Sequence, residues 1–329
     1  MTRFRANPKI ALCLFFLISV NCATAPYRPW QADTPSDLTF DRSRFPTQLT
    51  AKGSAPVNDA KEAPPAGATA VYYTSGTLQL KAWLSKLPSD GQKHPAVVFA
   101  HGGFSRDAED WPHLKAYLDQ GFIVMMPAWR GENSNPGHFE FFFGEVDDVI
   151  AAGEYLAANP SVDKDQLFLA GHSAGGTLAI LTALKNSPYK SIASFSGSTN
   201  QEIFFRSKGI PDTPFDKQDG REVILRSPIA YVPSLRNRLL LVIGTNELSF
   251  ERSSRLFSTK AKELGKNCDF IRVPGNHFSS LPGAIEKSIE FFRGKRWSYV
   301  FDGDSRPRGA TVAQGIFGFG QMERGATAQ

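Results

Sequence analysis

The stretch Leu167-Phe168-Leu169-Ala170-Gly171-His172-Ser173-Ala174-Gly175-Gly176 decides the fold. Its first four residues are apolar and, with Gln166 before them, have the length of a strand buried on both faces of a sheet. Its last residues open Ala174 to Lys185, a small and apolar segment of helical length. Between them lies Gly-x-Ser-x-Gly. Alone the pattern is weak, since a chain of 329 residues supplies it by chance roughly one time in ten. The strand before it and the helix after it make it specific. So sharp a strand-to-helix turn crowds the backbone at Gly171 and Gly175, where side chains would collide. It also lifts the Ser173 hydroxyl clear of the sheet at a helix N-terminus. Ser173 is the candidate nucleophile.

The same alternation continues on both sides. Upstream, Val71-Tyr72-Tyr73 and Leu78 to Leu84 read as strands around Ser75-Gly76, and Ala96 to Ala100 as a strand ending in His101-Gly102-Gly103. Ala108 to Gln120 reads as a helix stopped by Gly121, Phe122 to Met126 as a strand and Val146 to Ala158 as a helix. Downstream, Ile192 to Phe195, Leu239 to Ile243 and Phe270 to Val273 are strands; Ser253 to Leu264 and Ala284 to Phe292 are helices. This order predicts an α/β domain over residues 67–293, with a mainly parallel sheet flanked by helices. Residues 198–236 interrupt the rhythm. They are polar and Pro-bearing, carry Phe204, Phe205 and Phe215, and are expected to form a cap-like insertion over the strand ends.

A serine hydroxyl needs a base. In this architecture the chain order is Ser, acid, His, and His277 is the only histidine after Ser173. It follows the last expected strand, in Val273-Pro274-Gly275-Asn276-His277, where its imidazole can swing over the sheet edge. Among the acids between them, Glu247 stands just past a buried strand, in Ile243-Gly244-Thr245-Asn246-Glu247. It is the candidate that fixes the imidazole tautomer. Glu251 is the runner-up, expected to start a helix and face water. Candidate oxyanion donors are the amide of Ala174 and that of Gly103 or Phe104, in a loop whose glycines let main chain approach a substrate. His101 reads as a structural member of that loop.

Composition bounds the remaining choices. The chain is 41% hydrophobic and 21% charged, an ordinary globular balance. Its net charge is +5, but Arg3, Arg5 and Lys9 supply three of those charges within the first 21 residues. No basic stripe remains, and no nucleic-acid partner is expected. The positive start followed by apolar Ile10 to Val20 reads as a secretory leader, residues 1–21, too short to span a bilayer at ~20 residues. Cys22 then stands where a bacterial lipoprotein is acylated. Ordinary cleavage after Ala23-Thr24-Ala25 and a retained anchor are the competing fates. The expected location is the cell envelope, lipid-anchored at Cys22 or otherwise periplasmic or secreted, with no other membrane contact. Residues 22–66, rich in Pro, Ala, Thr and Ser, read as a tether or poorly ordered arm, and 294–329 as a Gly/Arg-rich tail. Cys268 stands alone as a buried thiol. With no His-Glu-x-x-His and no dinucleotide glycine pattern, neither metal nor organic cofactor is expected.

From about Ala68 to Phe292 the chain resembles the α/β-hydrolases, closest to the prolyl-oligopeptidase and dienelactone-hydrolase branches. The matching pieces are His101-Gly102-Gly103, Pro127-Ala128-Trp129-Arg130-Gly131, Glu145-Val146-Asp147-Asp148, the elbow, Ser227-Pro228-Ile229 and Gly244-Thr245-Asn246-Glu247. Arg130-Gly131 is similar to the family's Arg-Gly turn beside the active site, and a structural ion pair is the competing role for Arg130. Asp147 and Asp148 are expected to face solvent or cap a helix. The family's usual acid is Asp, where this chain has Glu247. Its peptidases carry a β-propeller before the catalytic domain, which the residues between Cys22 and the first strand cannot form. The resemblance therefore implies a serine hydrolase, with carboxylic esters ahead of short peptides as substrates. A fold retained only for binding is a third reading. The aromatic run Phe139, Phe141, Phe142 and Phe143 is expected to be buried packing, with an acyl pocket as the alternative.

Overall fold

The computed structural model describes residues 40, 45–57, 63–206, 210 and 212–297. The leader 1–21, Cys22, and Tyr299 and Phe301 of the tail lie outside them. Eight strands form one sheet: β1 (Ala68–Ser75), β2 (Leu78–Ser85), β3 (His94–Ala100), β4 (Ile123–Pro127), β5 (Val162–His172), β6 (Ser191–Phe195), β7 (Arg238–Gly244) and β8 (Cys268–Val273). Their order is β1-β2-β4-β3-β5-β6-β7-β8. β1 and β2 join antiparallel, and every pair from β4 to β8 is parallel.

Strand residues alternate between two buried faces. Phe168 and Ala170 join a cluster with Phe99, Tyr117, Phe195 and α7 (Leu281–Phe292), where the Phe168 and Phe292 rings stack at 4.4 Å. Leu167 and Leu169 point the other way and are equally buried, on the side of β5 that α2 (Glu145–Ala157) and α3 (Ala174–Ala183) cover. The helix expected at Ala108 to Gln120 divides. Pro112, which cannot donate its amide, lies in a 3-10 segment Ala108–Leu114, and α1 is only Lys115–Asp119. α6 (Leu248–Glu263) packs on β7 and β8. Cys268 is buried, which pushes its thiol up to about 12.

Two polar expectations change. Asp148 neither faces water nor caps: it is wholly buried. Its carboxylate accepts from the amide and guanidinium of Arg130 at 2.7–3.0 Å and from Ser75 Oγ at 2.6 Å, so the Arg130 reading that applies is the ion pair. Burial is tolerable because every contact is a donor. Asp147 does face solvent and pairs with Lys185. The insertion 198–236 holds two short helices, α4 (Gln201–Phe205) and α5 (Gly220–Leu225), with Phe205 and Phe215 buried against Phe141. Phe139, Phe141 and Phe142 are buried packing.

The arm 22–66 is no simple tether in its described part. Amides of Thr50 and Ala51 donate to the Pro214 carbonyl, Ala55 donates to Gly131, and Gly53 accepts from Phe139. Thr47 and Gln48 donate to Glu222, whose carboxylate also takes the fully buried Arg226 at 2.7 Å. Arg226 in turn donates to the carbonyls of Glu140 and Phe141 and lies 3.7 Å over the Phe215 ring. One guanidinium thus ties the arm, the insertion and the aromatic loop.

Candidate active site

The elbow forms where β5 ends and α3 begins. Ser173 adopts φ 55 and ψ −115, a left-handed φ that costs a non-glycine residue on the order of 1–3 kcal/mol. Neighbours hold it there: its amide donates to the Phe195 carbonyl at 2.9 Å, and the Gly175 amide donates to His101 at 3.0 Å. A Cβ at Gly175 would run into the Ala100 carbonyl, and one at Gly171 into the Gly175 carbonyl. The turn therefore closes only with glycine at both positions.

His277 sits in the loop between β8 and α7, and Glu247 just past β7. Their loops are laced together by Thr245 N to Val273 O at 2.8 Å and Asn246 N to Gly275 O at 2.9 Å. His277 Nε2 lies 2.9 Å from Ser173 Oγ, and its Nδ1 lies 2.6 Å from Glu247 Oε1. A carboxylate cannot donate, so the network assigns the proton to Nδ1 and leaves Nε2 to accept from the serine. The second Glu247 oxygen accepts from Ser196 Oγ at 2.5 Å and Gly244 N at 2.9 Å. Burial acts to raise the Glu247 pKa. The hydrogen bonds from His277 and Ser196, with the His277 charge and the Gly244 amide, outweigh it and hold the carboxyl below its ordinary range. The longer Glu side chain thus reaches the imidazole. Glu251 points elsewhere: its carboxylate pairs with Arg255 at 2.5 Å and Arg272 at 3.5 Å, and it is half-buried rather than facing water.

Ala174 and the loop after β3 both adjoin Ser173. Ala174 is the first residue of α3, where amides have no carbonyl one turn back. The loop after β3 lies against the elbow: a Cβ built on Gly102 would be 3.5 Å from that of Ser173. Gly103 follows at φ 67, and the Phe104 ring is buried edge-on against Phe139 and Phe141. His101 is structural, as expected. Wholly buried, it donates from Nδ1 to the Gly102 carbonyl at 2.9 Å, lies 3.1 Å from Glu132 and stacks on Trp129.

Two residues went unread in the sequence. Ser196 carries no motif, and only its strand end, one strand over from the elbow, could have hinted at it. His172 stands at the variable position of the elbow pattern, which carries no signal of its role. It is buried, and its Nε2 donates to the main-chain carbonyl of His277 at 2.8 Å. Burial, reinforced by the nearby His277, lowers its pKa to about 4, so it stands neutral beside the triad. Among the described residues no group of three or more His, Cys, Asp or Glu is placed to hold a metal ion.

A nucleophile elbow on a mainly parallel eight-stranded sheet, with histidine and acid on the following strand-end loops, defines an α/β-hydrolase. The chain belongs to the prolyl oligopeptidase family, whose model matches residues 112–287, and is a serine hydrolase of that family. It is 25% identical over 208 residues to an uncharacterized peptidase, YtmA, of Bacillus subtilis (strain 168), covering 60% of this chain and 80% of that one. An acylaminoacyl peptidase of Pyrococcus horikoshii superposes with TM-score 0.57 and 20% identity over 71% of this chain, which spans only 43% of that protein. A butyrate-bound esterase, Est2, of Thermogutta terrifontis superposes with TM-score 0.56 and 20% identity over 69% of this chain and 94% of its own.

Proposed function

We propose that this chain hydrolyses carboxylic esters through an acyl-enzyme on Ser173. The observation that carries the proposal is His277 bridging Ser173 and Glu247 within hydrogen-bond distance on both sides. His277 Nε2 takes the serine proton as Oγ attacks the ester carbonyl, then gives it to the departing alkoxide; water repeats the cycle in reverse. Glu247 holds the tautomer and stabilises the imidazolium. The amide of Ala174 and that of Gly103 or Phe104 serve the oxyanion, each worth ~3 kcal/mol in the transition state. The ester reading is supported by the butyrate-bound esterase whose fold this chain matches over 94% of that protein's length.

A peptidase acting on short peptides is the second reading, favoured by the relative in Bacillus subtilis that is named a peptidase. A fluorophosphonate probe is expected to label the wild type and not Ser173→Ala; labelling that persists in the variant refutes the nucleophile. Chromogenic esters set against proline- and alanine-type peptide amides decide between the two substrates. The leader-like residues 1–21 and Cys22 support export with a lipid anchor.

A further inference from the structure

We infer that Phe278 is the platform for the leaving group, and that the preferred substrates carry a flat apolar group on the alcohol side of the scissile bond. The inference rests on the triad reading and names the substrate class of that site. Phe278 is 72% exposed, although it follows His277 directly. Its position is fixed by more than chance exposure. The Phe278 and Ser279 amides both donate to Asn276 Oδ1 at 3.0 Å, closing a tight turn that holds the residue after His277. The ring stands edge-on to the His277 imidazole, with centroids 5.1 Å apart at 89°, and edge-on to His172 at 6.1 Å. His172 is itself buried and tied to the His277 carbonyl, so the two imidazoles form a fixed backing for an exposed aromatic face.

The chemistry says which half of a substrate meets that face. In acylation the proton on His277 Nε2 passes to the leaving oxygen, so that oxygen must come within hydrogen-bond reach of Nε2. A substituent on it then lies over the imidazole, within contact distance of a ring centred 5.1 Å from the imidazole centre. The carbonyl oxygen, by contrast, is turned toward the oxyanion donors and away from the leaving oxygen. Exposed in the free enzyme, the Phe278 ring gains most when an aromatic group stacks on it and excludes water.

The test compares benzyl and naphthylmethyl acetates with methoxyethyl acetate, whose alcohols are similar in acidity, on the full chain and on Phe278→Ala and Phe278→Trp. The wild type is expected to prefer the arylmethyl esters. Phe278→Ala is expected to lose on the order of tenfold in kcat/KM on them and clearly less on methoxyethyl acetate, so that the preference collapses while Ser173 is still labelled by the fluorophosphonate. Phe278→Trp is expected to keep the preference. An equal loss on both ester types, or no loss on the arylmethyl esters, overturns the platform while leaving the triad standing. A wild type that resists the fluorophosphonate probe overturns the triad reading, and the platform with it.

Discussion

Nδ1 of His277 lies 2.6 Å from Oε1 of Glu247, and the other oxygen of that carboxylate is held by Ser196 and Gly244. Glu247→Gln keeps the shape but can offer Nδ1 a donor where an acceptor is needed. Its kcat is expected to fall by ~10³–10⁴ with the fold intact, Glu247→Asp falling less and Glu251→Gln hardly at all. Steady-state ester kinetics on the three variants decide it. Glu251→Gln matching Glu247→Gln would reassign the acid.

Ser196 donates to an ionised oxygen, a bond worth ~1.5–3 kcal/mol. Because the Glu247 pKa is held below its ordinary range, its stabilising contribution is present above the ordinary carboxylate value and lost as pH falls through the depressed one. Ser196→Ala moves that loss to higher pH. Its kcat is expected to drop roughly tenfold at neutral pH and its melting temperature to fall earlier on acidification than the wild type's. A melting-temperature profile parallel to the wild type's would count against the assignment.

His172 is neutral in the fold with a pKa near 4, against 6.5 in an exposed histidine. Between those values the unfolded chain binds the extra proton, so stability falls as pH drops from about 6.5 toward 4, by up to roughly 3 kcal/mol. His172→Phe abolishes that dependence. The difference between the two stability-against-pH curves isolates it from Glu145, whose burial-raised pKa of about 7 acts in the opposite direction. The variant also loses the bond to the His277 carbonyl, and its kcat is expected to fall severalfold with KM unchanged. Curves that stay parallel in urea melts would show that His172 is not the group titrating.

Arg226 is fully buried and paired with Glu222. Arg226→Met strands that carboxylate and is expected to cost ~3–5 kcal/mol, with part of it restored in Glu222→Gln/Arg226→Met. Since Thr47 also bonds the pair, the single variant is expected to release the arm to protease first. Urea melts and limited proteolysis read both effects. An unchanged cleavage pattern around residues 45–57 would mean the arm is held by its backbone bonds alone.

Cys22 is the proposed acylation site. Labelled palmitate fed to cells expressing the full chain is expected to mark the wild type and not Cys22→Ser. Equal labelling of the two proteins, or none of either, removes the anchor.

The strand-turn-helix around Ser173 was legible because its period, its two glycines and its serine are local: each answers to backbone sterics within ten residues. The lone downstream histidine and the acid after β7 were legible because parallel strands deliver their following loops to one edge. Other features were not local. Asp148 reads as a solvent-facing or helix-capping residue, and only the fold brings Arg130 and Ser75 to it. The arm read as a tether because its hydrogen bonds go to residues as remote as Pro214 and Glu222. Ser196 and the His172 bond to the His277 carbonyl depend on which strand ends lie side by side. By itself the sequence determined the elbow at Ser173, the α/β class and the order of the triad, all set by short-range sterics and hydrophobic period. The tertiary structure decided what completes the site: which carboxylate reaches His277, what holds that carboxylate, and which buried charges have partners. Those are matters of ångström distances between segments far apart in the chain, and hydrogen bonds and desolvated charges are decided at that scale.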